Sequence, residues 1–162
     1  MGFLTKGGKP MPFSIMMQGC MFCFINGFSQ SYYHLLQVDP NTPISISTRI
    51  IQLLGLGLFF FGFYMNHESD MILRNLRKDS SDHGYYIPQG GFFKYWSSPN
   101  LIGEIIEWWG FALFSQTLMA TGFAFSTMFI IGNRAYGHHQ WYLKKFTETY
   151  PKNRRSLIPG VI

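Results

Sequence analysis

Three long stretches of the chain carry no charged residue. No Asp, Glu, Lys or Arg occurs in residues 10–38, 50–67 or 108–133. Each stretch is about as long as the roughly 20 apolar residues with which a helix crosses a hydrocarbon layer of ~30 Å. In a soluble protein such helices would be apolar on every side, with nothing to cover them. The sequence therefore predicts an all-α fold, a multi-pass transmembrane helix bundle.

The third charge-free stretch belongs to a segment that is too long for one span. Residues 101–132 would form a helix of about 48 Å at 1.5 Å per residue. We therefore expect two short helices that turn near residues 115–121, and a single bent helix is the alternative. All of residues 1–162 are interpreted as one membrane domain. The predicted spans lie near residues 11–33, 46–68, 100–115 and 119–145.

The basic residues are distributed as membrane topology requires. Lys6 and Lys9 precede the first predicted span, further groups follow the second and the last, and the loop of residues 39–48 has none. The positive-inside rule then places both termini of this chain and the long polar loop in the cytosol. Topology thus accounts for the net charge of +5, and we expect a lipid bilayer and no nucleic acid as a partner.

The cysteines and histidines do not form a metal site in this sequence. Cys20 and Cys23 form a C-x-x-C, which is typical of a redox pair in thioredoxin-like folds or of half a metal site elsewhere. Neither a second pair nor a strand pattern accompanies it, so we interpret both as structural. His138 and His139 are the only adjacent histidines. Neighbouring residues point about 100° apart on a helix, so these two cannot hold one metal together.

Polar residues form stripes at the cytosolic ends of three predicted helices. If the second span continues as a helix, Asn66, Asp70 and Arg77 fall at i, i+4 and i+11, within about 40° of one another. Topology places all three stripes at one membrane surface, where they can converge on one pocket. The stripes of the third and last helices comprise Asn100, Glu104 and Glu107, and Arg134, His138, Trp141, Tyr142 and Lys145.

The side chains of these stripes suit a dinucleotide. Ionisable groups at the edge of a span are costly unless they are paired or face a wet cavity. Carboxylates and amides bind sugar hydroxyls and a carboxamide, arginines bind phosphates, and aromatic rings bind a flat ring. Snorkelling cations and ordinary interhelical salt bridges are the alternative explanation. The sequence has no G-x-G-x-x-G after a strand pattern, no nucleophile elbow and no H-E-x-x-H, which excludes the corresponding nucleotide, hydrolase and zinc sites.

Four ordered motifs resemble those of the steroid 5α-reductase family. Residues 66–78 are similar to N-x-H-S-D…I-L-R-x-L-R-K, and residues 85–93 are similar to Y-x-I-P-x-G-G-L-F. Residues 100–108 read N-L-I-G-E-I-I-E-W, and residues 134–143 read R-A-Y-G-H-H-Q-W-Y-L. The end of the chain also matches the family, through Tyr150-Pro151-Lys152, Arg154 and Ile158-Pro159.

The resemblance implies an NADPH-dependent 3-oxo-5α-steroid 4-dehydrogenase of the endoplasmic reticulum membrane. Such an enzyme transfers a hydride to the β-carbon of a 4-en-3-one, while a proton donor polarises the carbonyl and a proton is added at the α-carbon. The substrate would be a steroid or another enone lipid, and no metal is implied. The implied cofactor contacts are Lys9, Asn66, Asp70, Arg77, Tyr85, Asn100, Glu104, Arg134, His138 and Tyr142.

The chain departs from the family pattern in two ways. Lys9 and Tyr86 stand where the family usually has arginine, which weakens phosphate recognition. Family members also have additional early helices, which supply a Glu and a Tyr on the carbonyl side, so the catalytic residues of this chain stay unassigned. The chain is then a truncated isoform or gene model, or another Tyr substitutes. A non-catalytic fragment, a polyprenol or enoyl-CoA reductase and a methyltransferase that uses S-adenosylmethionine are the alternatives.

Overall fold

The computed structural model describes residues 12–36, 41, 43–76 and 84–157. These residues contain an isolated parallel bridge between Trp96 and Arg155 but no β-strand. The predicted all-α class is therefore confirmed for the described part of the chain. Its elements are α1 (Phe13–Leu36), α2 (Ile46–Asn75), the 3₁₀ helix η1 (Gly91–Lys94), α3 (Pro99–Ser115) and α4 (Leu118–Phe146).

The third charge-free stretch is divided between two helices. Gln116 ends α3 in the left-handed conformation, with a φ of 55°. Thr117 then caps α4, because its Oγ1 accepts a hydrogen bond of 3.1 Å from the backbone N–H of Ala120. Such a cap stabilises a helix start by about 1 kcal/mol. The break lies within the predicted turn of residues 115–121, so the single bent helix is wrong.

Helices α2 and α3 pack backbone against backbone through four glycines. A methyl group added at Gly103 would lie 2.6 Å from the backbone N of Asn66 and 2.7 Å from the carbonyl O of Gly62. Two turns further along the contact, a methyl group at Gly55 would lie 2.7 Å from the carbonyl O of Gly110. Only a residue without a side chain permits this approach. The contact fixes the start of α3 beside the C-terminal half of α2.

Helix α4 packs against α3 through small residues and aromatic rings. Ala112 of α3 and Ala120 and Ala124 of α4 are buried together. The rings of Trp108 and Phe123 lie edge to face, with their centroids 4.4 Å apart. Aromatic pairs in this geometry contribute roughly 0.5–1.5 kcal/mol beyond their buried area. The start of α4 is thereby held against the second half of α3.

Helix α1 makes fewer contacts than the other described helices. Its ring contact with α4 joins Phe22 to Phe123, whose centroids are 5.7 Å apart. Most other side chains of α1 are exposed. Of the helices described, α2 alone has the length and apolar composition of a membrane span. The four-span arrangement therefore stays a prediction.

Candidate functional site

Three predicted cofactor residues are hydrogen-bonded where α2 meets the start of α3. The side-chain amide of Asn66 donates to the carbonyl O of Asn100 at 2.9 Å. The side-chain amide of Asn100 donates in turn to Oδ1 of Asp70 at 3.1 Å. The glycine contact makes these bonds possible, because Gly103 lies against Asn66 one turn beyond Asn100. All three bonded residues are partly buried. The side-chain oxygens of Asn66 and Asn100 and the second carboxylate oxygen of Asp70 take no part in these bonds.

Charged residues from α3 and α4 lie beside this group. The partly buried carboxylate of Glu104 interacts electrostatically with Arg134 on α4 and with Asp70 on α2. The positive charge of Arg134 also interacts electrostatically with His138, one turn further along α4. Residues from the three predicted stripes therefore meet at one place.

Two consecutive histidines of α4 bond to two consecutive serines before α3. The Oγ of Ser97 lies 2.6 Å from Nδ1 of His139, and the Oγ of Ser98 lies 3.2 Å from Nδ1 of His138. Tyr150 donates a hydrogen bond of 2.6 Å to the Oγ of Ser97. The Ser97 hydroxyl thus links Tyr150 to the imidazole of His139. Both serines and Tyr150 are buried, so the network fixes α4 against the start of α3.

Tyr142 lies near the C-terminal end of α4, and Tyr85, from the segment before η1, packs against the same end of that helix. Tyr142 stacks on Tyr150, with centroids 5.3 Å apart and ring planes inclined by 14°. Tyr85 packs edge to face against Trp141 at 5.2 Å, and the Nζ of Lys145 lies 5.7 Å from its ring centre. Both tyrosines thus pack against other aromatic residues, and the part of α4 that they involve lies about one turn beyond His138.

Arg154 is a buried cation that the motifs alone did not mark as a site residue. Its side chain is 3% exposed, and its Nη2 donates to the carbonyl O of Pro88 at 2.8 Å and to Oε1 of Gln89 at 3.2 Å. Its Nε and Nη1 are buried and have no hydrogen-bond partner in the described part of the chain. Buried donors without partners are costly, so an anion at this position would be stabilised.

The remaining predicted site residues, Lys9 and Arg77, lie outside the described residues. No group of three His, Cys, Asp or Glu side chains within the described ranges has the geometry of a metal site. The serine–histidine bonds join residues far apart in the sequence, and no local pattern indicates such pairs. The histidines themselves were visible in the R-A-x-x-H-H motif.

An apolar surface lies two helical turns from Asn100 along α3. It consists of Trp108 on α3, Phe123 on α4 and Phe22 on α1, whose rings contact each other in that order. Glu104 stands one turn before Trp108 on the same helix. Polar groups suited to a nucleotide and rings suited to a flat apolar molecule are therefore neighbours along α3.

Comparison with known proteins agrees with the motifs. The sequence model of the family described as 3-oxo-5-alpha-steroid 4-dehydrogenase matches residues 9–162. The 3-oxo-5-alpha-steroid 4-dehydrogenase 1 of Macaca fascicularis is 46% identical over 157 residues, which cover 97% of this chain and 58% of that protein. The human 3-oxo-5-alpha-steroid 4-dehydrogenase 2 is 45% identical over 158 residues, 98% of this chain and 61% of that protein. The chain thus spans about three fifths of the length of these relatives. The predicted resemblance is confirmed, and the chain belongs to the 3-oxo-5-alpha-steroid 4-dehydrogenase family.

Proposed function

We propose that the chain forms the cofactor-binding part of a reductase that uses NADPH to saturate the 4,5 double bond of a 3-oxo-4-ene steroid. One observation carries the proposal. Amides, carboxylates and a guanidinium from three helices meet around Asn100, beside an aromatic surface. The relatives are named for this steroid reaction, and they are longer than this chain.

The residues present fit a nicotinamide dinucleotide. Asn66, Asn100 and Asp70 offer side-chain oxygens to ribose hydroxyls or to a carboxamide, while their mutual bonds hold them still. Arg134 and the unpaired donors of Arg154 suit the phosphates. We propose Tyr85, Glu104, His138 and Tyr142 as further contacts, with Lys9 and Arg77 outside the described residues.

The chain's own residues would orient the reactants and keep water out. When bound, NADPH supplies the hydride. The backbones of α2 and α3 approach each other too closely at Gly62 and Gly103 to admit a water between them. The rings of Trp108, Phe123 and Phe22 would bind the flat apolar substrate next to Glu104. Holding both molecules in a reactive geometry lowers the entropic part of the barrier.

We also propose that the four helices cross the membrane of the endoplasmic reticulum, with both ends of this chain in the cytosol. Helix α2 supports the proposal by its length and apolar composition. The exposed aromatic and aliphatic side chains of α1 and the start of α4 would face lipid or other helices. The bonded polar group would then lie at the cytosolic surface, where NADPH is available.

A non-catalytic fragment is the second candidate. It is favoured by one observation, that the chain spans only 58% and 61% of the two relatives compared. Such a fragment would bind NADPH without reducing a steroid.

Binding and turnover measured on the same sample separate these possibilities. The purified chain in detergent should quench NADPH fluorescence in a saturable way. Glu148→Gln, on the exposed turn after α4 and away from the proposed contacts, should bind NADPH equally well. Conversion of testosterone or progesterone would then identify an enzyme. Binding without conversion would identify the fragment, and no saturable binding would exclude both.

A further inference from the structure

Ser98 stands where a serine usually caps a helix, but its side chain does not cap α3. The carbonyl O of Ser98 accepts hydrogen bonds from the backbone N–H groups of Leu101 and Ile102, so the helix begins there. A serine at this position usually also accepts a hydrogen bond through Oγ, which stabilises the helix start. Ser45 caps α2 in this way, and Thr117 caps α4. The side chain of Ser98 makes no such bond.

The hydroxyl of Ser98 bonds to His138 of α4 instead. Its Oγ lies 3.2 Å from Nδ1 of the imidazole, and no other described residue bonds to that hydroxyl. Ser98 is 3% exposed, whereas the side chain of His138 is exposed. A buried hydroxyl needs an acceptor for its hydrogen, and a neutral imidazole has one nitrogen without a hydrogen. The bond therefore favours the tautomer in which Nδ1 accepts and Nε2 carries the hydrogen.

The connection between α3 and α4 does not depend on this bond alone. Ser97, His139 and Tyr150 already join the start of α3 to α4 and to the segment after it, through two contacts of 2.6 Å. The Nε2 of His138 forms no hydrogen bond within the described ranges and lies on an exposed side chain. Arg134, one turn earlier on the same helix, interacts electrostatically with this imidazole. The two side chains can therefore reach the same anion.

We propose that Ser98 is a positioning residue, which holds His138 so that the Nε2–H group donates to a phosphate oxygen of the dinucleotide. This proposal deepens the proposed function and rests on it. A phosphate oxygen accepts a hydrogen bond from a neutral imidazole, and Arg134 supplies the positive charge beside it. The serine that would have capped α3 thus orients a side chain of the site.

Nitrogen NMR of the full chain with isotopically labelled histidine tests the tautomer in detergent without NADPH. The signals of His138 are identified by their absence in His138→Gln. At a pH that keeps the imidazole neutral, we expect an Nδ1 without a hydrogen and a protonated Nε2. Ser98→Ala should give a mixture of both tautomers, and Ser98→Thr, which keeps the hydroxyl, should restore the original signals. A protonated Nδ1 in the unaltered chain, or no change in Ser98→Ala, would overturn the proposal.

Binding measurements connect the tautomer to the cofactor. Ser98→Ala should weaken NADPH binding about tenfold, the effect of disturbing one hydrogen bond to a charged group, and Ser98→Thr should restore most of the affinity. The affinity for 2′-phospho-ADP-ribose, which has the phosphates but no nicotinamide, should fall in the same proportion. An unchanged affinity for that compound would overturn the phosphate contact.

Ser126→Ala is the matched control on α4. It also removes a serine hydroxyl, which is bonded to the carbonyl O of Gly122 at 3.0 Å and is exposed. This variant should bind NADPH as the unaltered chain does and should leave the signals of His138 unchanged. A loss of affinity equal to that of Ser98→Ala would contradict a specific role of Ser98.

Failure of this proposal and failure of the proposed function give different results. A chain that binds no NADPH, although His138 has the expected tautomer, would exclude the proposed function and the phosphate contact with it. A chain that binds NADPH, while Ser98→Ala changes neither the tautomer nor the affinity, would overturn the positioning role alone.

Discussion

Tyr150 donates a hydrogen bond of 2.6 Å to the Oγ of Ser97 and so joins the segment after α4 to the segment before α3. Neighbouring bonds strengthen this connection. The backbone N–H of Ser97 donates to the carbonyl O of Arg155 at 2.9 Å, and the indole N–H of Trp96 donates to the carbonyl O of Leu157 at 2.7 Å. The chain beyond α4 is therefore part of the support beneath Asn100.

Loss of the Tyr150 hydroxyl should destabilise this support. Tyr150→Phe leaves the ring in place but removes the donor to the buried Ser97, at a cost of about 1–3 kcal/mol in the free energy of unfolding. Denaturant unfolding in detergent would measure the change. Tyr136→Phe, at a tyrosine of α4 that is 45% exposed, should change it by less than about 0.5 kcal/mol. Equal effects of the two substitutions would contradict the structural role of the bond.

The glycine contact predicts opposite effects for two alanine substitutions. Gly103→Ala places a methyl group 2.6 Å from the backbone N of Asn66, so it should destabilise the protein by about 1–3 kcal/mol and weaken NADPH binding. Gly122→Ala meets nothing within 4 Å, and its better helix propensity should stabilise the protein by up to about 1 kcal/mol. Thermal unfolding and NADPH titration of both variants would check the signs. A neutral Gly103→Ala would show that the helices are further apart than described.

The bond between Asn100 and Asp70 predicts a rescue. Asn100→Asp replaces the donor by a second carboxylate about 3 Å from Asp70 and should weaken NADPH binding roughly tenfold. Adding Asp70→Asn removes the repulsion and restores a donor, so the double variant should recover part of the affinity. Fluorescence titration of the single and double variants measures this coupling. If the double variant binds no better than Asn100→Asp, the two side chains do not act together.

The proposed topology predicts which loops face the cytosol. In a chain with Cys20→Ser and Cys23→Ser, a cysteine introduced by Glu148→Cys should react with a membrane-impermeant maleimide in intact microsomes. A cysteine introduced by Pro43→Cys should react only after the membrane is opened, because it lies between α1 and α2 on the other side. Equal labelling of both positions in intact microsomes would exclude this topology.

The sequence predicted the features of the fold and of the site that depend on a single helix. The division into α3 and α4 followed from length alone, since residues 101–132 exceed one span. The grouping of Asn66 with Asp70 followed from the helical period. Their bonds to Asn100 agree with the predicted convergence of the stripes.

Contacts between distant segments were missed. The bond between Ser97 and His139 depends on how α4 crosses the start of α3, and neither local sequence indicates it. The unpaired donors of Arg154 depend on the position of the loop that contains Pro88. The cofactor roles of the ten contact residues predicted from the sequence stay predictions, and those of Lys9 and Arg77 concern residues outside the described ranges.

The glycine contact between α2 and α3 leaves no layer of side chains that could rearrange between the two backbones. A change in bilayer thickness tilts transmembrane helices, and under the proposed topology these two would tilt as one body. Asn66 and Asn100 would keep their separation in short-chain and long-chain lipids alike. Arg134 belongs to α4, which the bonds of His138 and His139 fix to the start of α3, so the side of the site formed by α4 would follow the same body.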